Sequence, residues 1–161
     1  MNVFDFAIRM ELDGKSYYEM LSTETTDTGL KTIFSMLAAD EQKHCDTIKA
    51  IKAGTTWLMS DTTILDEAKN LFEGLVKDKT IAGSLKKSLD GYQHAKKIEA
   101  DSIRFYEDQA VKETNPEMKQ LFLRIADEEK KHYSIMDNLY DFVLAPQYFL
   151  AWREFSNLKE L

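Results

Sequence analysis

Apolar residues recur at helical spacing along four long stretches of the chain. In the first, Phe4, Ala7, Ile8, Gly14, Tyr18 and Leu21 share a face. Leu30, Ile33, Phe34, Leu37, Ala38, Cys45, Ile48 and Ile51 do so in the second. The third carries Ala95, Ile98, Ser102, Phe105 and Tyr106, and the fourth Met118, Leu121, Phe122, Ile125, Ala126, Tyr133, Met136 and Tyr140. Period-2 alternation of β-branched residues, the mark of strands, is sparse. The pattern predicts helices near 2–25, 28–53, 88–113 and 116–144. Asn115 before Pro116 has the form of an N-cap and a first helical position. Asp27 stands ready to cap the second helix, and Gly54 to stop it. The connection 55–87 holds a short helical pattern from Ile64 to Phe72. The expected fold is all-α: a four-helix bundle over 1–144, with one long crossover between helices two and three. The tail 145–161, with Tyr148, Phe149, Trp152 and Phe155, is expected to pack on the bundle or on a partner chain.

The chain also repeats itself. Residues 7–44 aligned without gaps on 95–132 give 12 identities in 38 positions, against about 2 or 3 by chance at average composition. The identities include Glu11/Glu99, Asp13/Asp101, Tyr18/Tyr106, Phe34/Phe122, Ala38/Ala126, Glu41/Glu129 and His44/His132. A duplicated helical hairpin is the simplest source of such a pattern.

The duplicated polar residues fall on the apolar faces. Glu41 and His44 are three apart, one helical turn, and lie on the side of Ile33, Phe34, Leu37, Ala38 and Ile48. Glu129 and His132 lie with Leu121, Phe122, Ile125, Ala126 and Met136, while Glu11 and Glu99 sit within the apolar faces of their own helices. Four carboxylates in a dry core are costly when charged and unpaired. Two divalent cations would balance four negative charges, and carboxylate oxygen with imidazole nitrogen suits iron or manganese. Glu11, Glu41, His44, Glu99, Glu129 and His132 are therefore the candidate metal ligands. Tyr18 and Tyr106, two turns after Glu11 and Glu99, are candidates to hydrogen-bond a ligand carboxylate, to relay an electron, or simply to pack. Asp40 and Glu128 are placed to orient an imidazole or to face solvent. His94 lacks the motif and reads as a surface residue, and Cys45 as a small buried hydrophobe.

Bulk composition narrows the classes. The 161 residues are 43% hydrophobic and 30% charged, ordinary for a soluble globular chain. No apolar run is long enough to span a bilayer, and the N-terminus lacks the form of a secretory signal. A net charge of −7 without a basic stripe argues against nucleic-acid binding. The expected location is cytoplasmic. With Cys45 as the single cysteine, neither an internal disulfide nor a four-cysteine iron or zinc site is possible within this chain.

The strings Glu11-Leu-Asp-Gly-Lys-Ser-Tyr-Tyr18, Ala39-Asp-Glu-Gln-Lys-His44, Glu99-Ala-Asp-Ser-Ile-Arg-Phe-Tyr106 and Ala126-Asp-Glu-Glu-Lys-Lys-His132 resemble those of ferritin-like di-iron carboxylate proteins, and among them the rubrerythrin group. The resemblance covers about 1–144. It implies a left-handed four-helix bundle around two Fe ions, with Mn or Zn as possible substitutes. Glu41 and Glu129 would bridge the metals, Glu11 and Glu99 would be terminal ligands, and His44 and His132 would complete each ion. It further implies a homodimer that reduces hydrogen peroxide or dioxygen. Rubrerythrins commonly carry a rubredoxin domain as electron source; here the donor would be an external, rubredoxin-like protein. They also place an extra carboxylate one turn beyond the third-helix ligand, where this chain has Ser102, followed by Ile103; Asp101 faces elsewhere. Two other functions fit the same residues: an iron-binding or storage protein with ferroxidase activity, and a non-catalytic metal-binding bundle.

Overall fold

The computed structural model describes residues 2–78 and 80–149. Among them there is no strand, and the chain divides into two compact units whose boundary lies between Ile64 and Leu65.

The first unit is a hairpin of α1 (Val3–Glu24) and α2 (Thr28–Lys52). Its two ends are set by side chains. Asn2 accepts the Asp5 N–H at 2.8 Å, and Asp27 accepts the Leu30 N–H at 2.8 Å, each satisfying a donor that the first helical turn leaves open. At the far end Gly54 adopts φ +72°. The Thr55 N–H bonds the Ala50 carbonyl and the Gly54 N–H bonds that of Ile51, both at 3.0 Å. This Schellman arrangement needs a left-handed residue, which glycine supplies without steric cost. The three-residue link 25–27 makes the helices antiparallel neighbours. Across them Lys15 donates to Gln42 at 2.8 Å, Lys31 to the Ser22 carbonyl at 2.9 Å, and Lys52 pairs with Asp5. The following segment is tied back onto α2: Lys43 donates to the Ser60 carbonyl at 2.9 Å, Thr62 to Asp40 at 2.6 Å, and Met59 is buried.

The second unit contains α3 (Ile64–Lys77), apart from its first residue, then α4 (Ile81–Leu85), a 3-10 turn at Lys86–Ser88, and the hairpin of α5 (Leu89–Lys112) and α6 (Pro116–Leu144). Asn115 caps α6 by accepting the N–H groups of Glu117 and Met118 at 2.9 and 3.2 Å, with Pro116 in the first turn. The hairpin is pinned by Lys96–Asp137 at 2.9 Å and Glu107–Lys130 at 3.1 Å. The predicted short helix after Ile64 runs five residues past Phe72, because Leu75 extends the buried face of Ile64, Ala68 and Phe72. Gly74 inside it meets nothing within 4 Å of an added Cβ, and an interior glycine costs only about 1 kcal/mol. Phe72 packs edge-on against Phe142, with centroids 5.8 Å apart, and both meet Phe149. Ser134 through Leu139 are all buried, more than one helical face can account for. α6 packs against α4 as well as α5, and Phe72 of α3 also meets it at Phe142. Of the expected aromatic tail, Phe149 joins this cluster, while Trp152 and Phe155 lie outside the described residues. No described helix is long and apolar enough to cross a membrane.

Candidate metal centre

Each hairpin gathers one set of ligand-type side chains. In the first unit α1 contributes Glu11, and one turn of α2 contributes Glu41 and His44. They are 1%, 3% and 0% exposed. Their placement follows from the apolar stripes that bury both helices: Ala7, Tyr18 and Leu21 carry Glu11 inward, as Phe34, Leu37, Ala38 and Ile48 carry Glu41 and His44. His44 Nδ1 lies 3.4 Å from Glu11 Oε2. One ligand atom from each of the three residues lies within 4.8 Å of the others.

The second unit repeats this with Glu99 of α5 and Glu129 and His132 of α6, which are 1%, 0% and 0% exposed. His132 Nδ1 stands 3.4 Å from Glu99 Oε1, and the three residues again offer atoms within 4.8 Å of one another. All six ligands predicted from the sequence thus fall into two triads, three in each unit.

The triads fit a metal on two grounds. A charge-assisted N–H···O bond closes to about 2.7–2.9 Å, so 3.4 Å is long for one. Two atoms bound to one ion at about 2.1 Å, at angles between about 90° and 110°, are about 3.0–3.4 Å apart. Charge agrees. Two ionised carboxylates and a neutral imidazole give each triad a formal −2, which one divalent cation cancels. Oxygen with imidazole nitrogen is a donor set for iron, manganese or zinc and excludes a site built on thiolate. Cys45, beside His44, is fully buried, and burial pushes its thiol pKa up, away from the thiolate form a ligand needs.

Tyr18 and Tyr106 are fully buried, two turns beyond Glu11 and Glu99, and Tyr106 packs between Phe105 at 5.2 Å and Phe122 at 6.1 Å. Asp40 receives the Thr62 hydroxyl and so helps hold the segment after α2. Glu128 is buried and His94 exposed. Ser102 and Ile103 are buried. Asp101 points outward, bonded to Lys97 at 2.8 Å and Arg104 at 2.7 Å, which together hold its carboxyl below the usual range.

Sequence reasoning missed a polar cluster in the second unit. Lys96, one turn before Glu99, pairs with Asp137 while its ammonium lies 4.7 Å from the Tyr140 ring centroid and 5.8 Å from that of Tyr133. The available signal was Lys96 itself, a charge at a position its helical spacing places beside Glu99.

A family model described as Rubrerythrin matches residues 2–140, and the all-α architecture is of the ferritin-like bundle class. Comparison with curated proteins and with solved structures gives no match.

Proposed function

The chain belongs to the rubrerythrin family, and from that premise we propose that it is a di-iron oxidoreductase that reduces hydrogen peroxide or dioxygen. The observation that carries this is the pair of buried Glu–Glu–His triads, each with the charge and spacing for one divalent ion. Glu11, Glu41 and His44 would hold one metal and Glu99, Glu129 and His132 the other, each through two carboxylates and one imidazole nitrogen. Two bound irons would supply two electrons to the O–O bond, which with two protons leaves peroxide as two waters.

The protein's part is geometry and exclusion. At 0–3% exposure the triads keep bulk water away from the ligand atoms. Tyr18 and Tyr106 are assigned to hydrogen-bonding the ligand carboxylates from their own helices, fixing which oxygen faces the metal. With one cysteine these 161 residues cannot build a four-cysteine iron site, so the electrons are assigned to a rubredoxin-like donor outside them. The working form is taken to be a homodimer, as the rubrerythrin resemblance implies, and its location cytoplasmic, as the composition suggests.

The test is metal analysis of anaerobically purified protein, then peroxide titration of the di-ferrous form with an added donor. Two irons per chain, rapid re-oxidation by peroxide and sustained donor-coupled turnover are expected. Iron uptake into a cage-sized oligomer would favour the ferroxidase alternative instead. Bound metal with no reaction toward peroxide or oxygen would leave only a structural bundle.

A further inference from the structure

Gly14 lies in the middle of α1, buried, with ordinary helical φ. No turn or left-handed conformation calls for a glycine there, and an interior helical glycine costs stability relative to alanine. The structure shows what the missing side chain makes room for. A Cβ on Gly14 would sit 3.2 Å from Glu41 Oε2, 3.5 Å from its Cδ and 3.7 Å from its Cγ. Those are the three nearest atoms, and all belong to the same carboxylate arm. A side chain at position 14 would therefore press on the Glu41 carboxylate more closely than ordinary van der Waals contact.

The duplicated hairpin supplies a contrast. Position 102, which is 88 residues after Gly14, holds a buried serine. The second triad thus tolerates a side chain at the register where the first has none. The two Glu-x-x-His turns are alike in sequence, but the walls facing them are not.

We propose that Gly14 is a positioning residue for the metal centre: its bare backbone sets where the Glu41 carboxylate can lie, and so sets the metal affinity of the first triad. This rests on the metal reading above but not on peroxide chemistry. A contact of 3.2 Å forces the neighbour to yield by a few tenths of an ångström. Metal sites tolerate deviations of only about 0.2 Å in ligand distance, so that displacement falls on the ligand geometry. Because the displaced group is the end of a flexible side chain, the helix packing should absorb the methyl group.

The two consequences have opposite signs in one variant. In Gly14→Ala, the metal-free protein should melt no lower than the native chain, since alanine favours helix. Its affinity for Mn²⁺, a probe that needs no redox turnover, should fall by about 10-fold or more, the scale seen when groups that orient ligands are altered. Gly74→Ala is the control: it brings the same gain in helix propensity at a site with nothing within 4 Å, and should leave Mn²⁺ affinity unchanged. Calorimetric titration gives the affinities, and circular dichroism melts in chelator give the stabilities. Equal Mn²⁺ affinity in Gly14→Ala and the native chain overturns the proposal. So does a metal-free Gly14→Ala that melts well below the native chain, because the methyl would then strike the packing and not the carboxylate alone. Native protein that binds two Mn²⁺ yet ignores peroxide would refute the oxidoreductase reading and leave this one standing. Native protein that binds none refutes both.

Discussion

Glu129→Gln should stabilise the metal-free protein and weaken its response to metal. Glu129 is fully buried at the inner face of α6. An ionised carboxylate taken out of water carries an effective penalty of several kcal/mol, whereas a neutral amide costs about 1–3 kcal/mol. The exchange keeps the shape and removes the charge, so a gain of about 2 kcal/mol is expected without metal, or about 4–8 °C in Tm for a domain of this size. Metal reverses the order. With Mn²⁺ at about 100 times its Kd, each bound ion adds about 2.7 kcal/mol. Two ions add about 5.4 kcal/mol, which is about 11–22 °C. The amide leaves its triad with a formal −1 where −2 balanced the cation, and the metal-induced rise should shrink to half or less. Paired melts in chelator and in Mn²⁺, followed by circular dichroism, measure both quantities. The same Mn²⁺-induced rise in both proteins would refute the ligand assignment. A variant that melts lower than the native chain in chelator would refute the buried-charge reasoning, since the carboxylate would then be better satisfied in the core than the amide.

Three further outcomes test the frame around the triads. Phe72→Ala removes a ring that is 1% exposed and packed on Phe142 and Phe149; a loss of about 3–5 kcal/mol in urea unfolding is expected, with Mn²⁺ stoichiometry retained. Gly54→Ala forces a Cβ into a left-handed residue at φ +72° and should cost about 1–2 kcal/mol by urea midpoint. Asp101→Asn loses a carboxyl whose folded pKa is lowered chiefly by the Lys97 hydrogen bond, against a smaller burial effect, and further by Arg104. Its stabilisation exists above the unfolded carboxylate pKa and is lost as pH falls through the lower folded value. Because the site is exposed and screened, the difference from native should stay below about 0.5 kcal/mol near neutral pH. It should vanish in melts at acid pH.

The long helices and the six ligand candidates were legible because they obey strong periodic rules. Phe34, Leu37, Ala38, Glu41, His44, Cys45 and Ile48 are all buried, and all were placed on one face by spacing alone. Caps were legible for the same local reason: Asp27 and Asn115 act within three residues of themselves. What resisted was set by contacts distant in sequence. The five residues of α4 are too few to show a period, yet α4 packs on α6. Asn138 is fully buried and bonds the Ser134 carbonyl at 2.7 Å; an asparagine in a helix gives no sign of that in sequence. Gly14 was visible as part of an apolar face, but the approach of the Glu41 carboxylate exists only in three dimensions.

The duplication itself shows which features the site constrains. Glu11, Glu41 and His44 recur as Glu99, Glu129 and His132, with the same 3.4 Å imidazole–carboxylate distance in each unit. One to two turns away the copies diverge. Lys96, Asp137 and Tyr140 occupy the positions that Ile8, Lys49 and Lys52 hold in the first copy. Yet both hairpins carry an ion pair toward that end, at different positions and with the signs on opposite helices: Lys96 of α5 with Asp137 of α6, and Asp5 of α1 with Lys52 of α2, whose counterparts are Gln93 and Tyr140. An ion pair tolerates exchange of its partners because Coulomb attraction is indifferent to which helix carries which sign. Metal ligation is not indifferent, since it fixes donor type, count and distance. Two hairpins that keep all six candidate ligands while moving their ion pairs therefore have the form expected when geometry at the triads, and not helix pairing, is what the sequence must preserve.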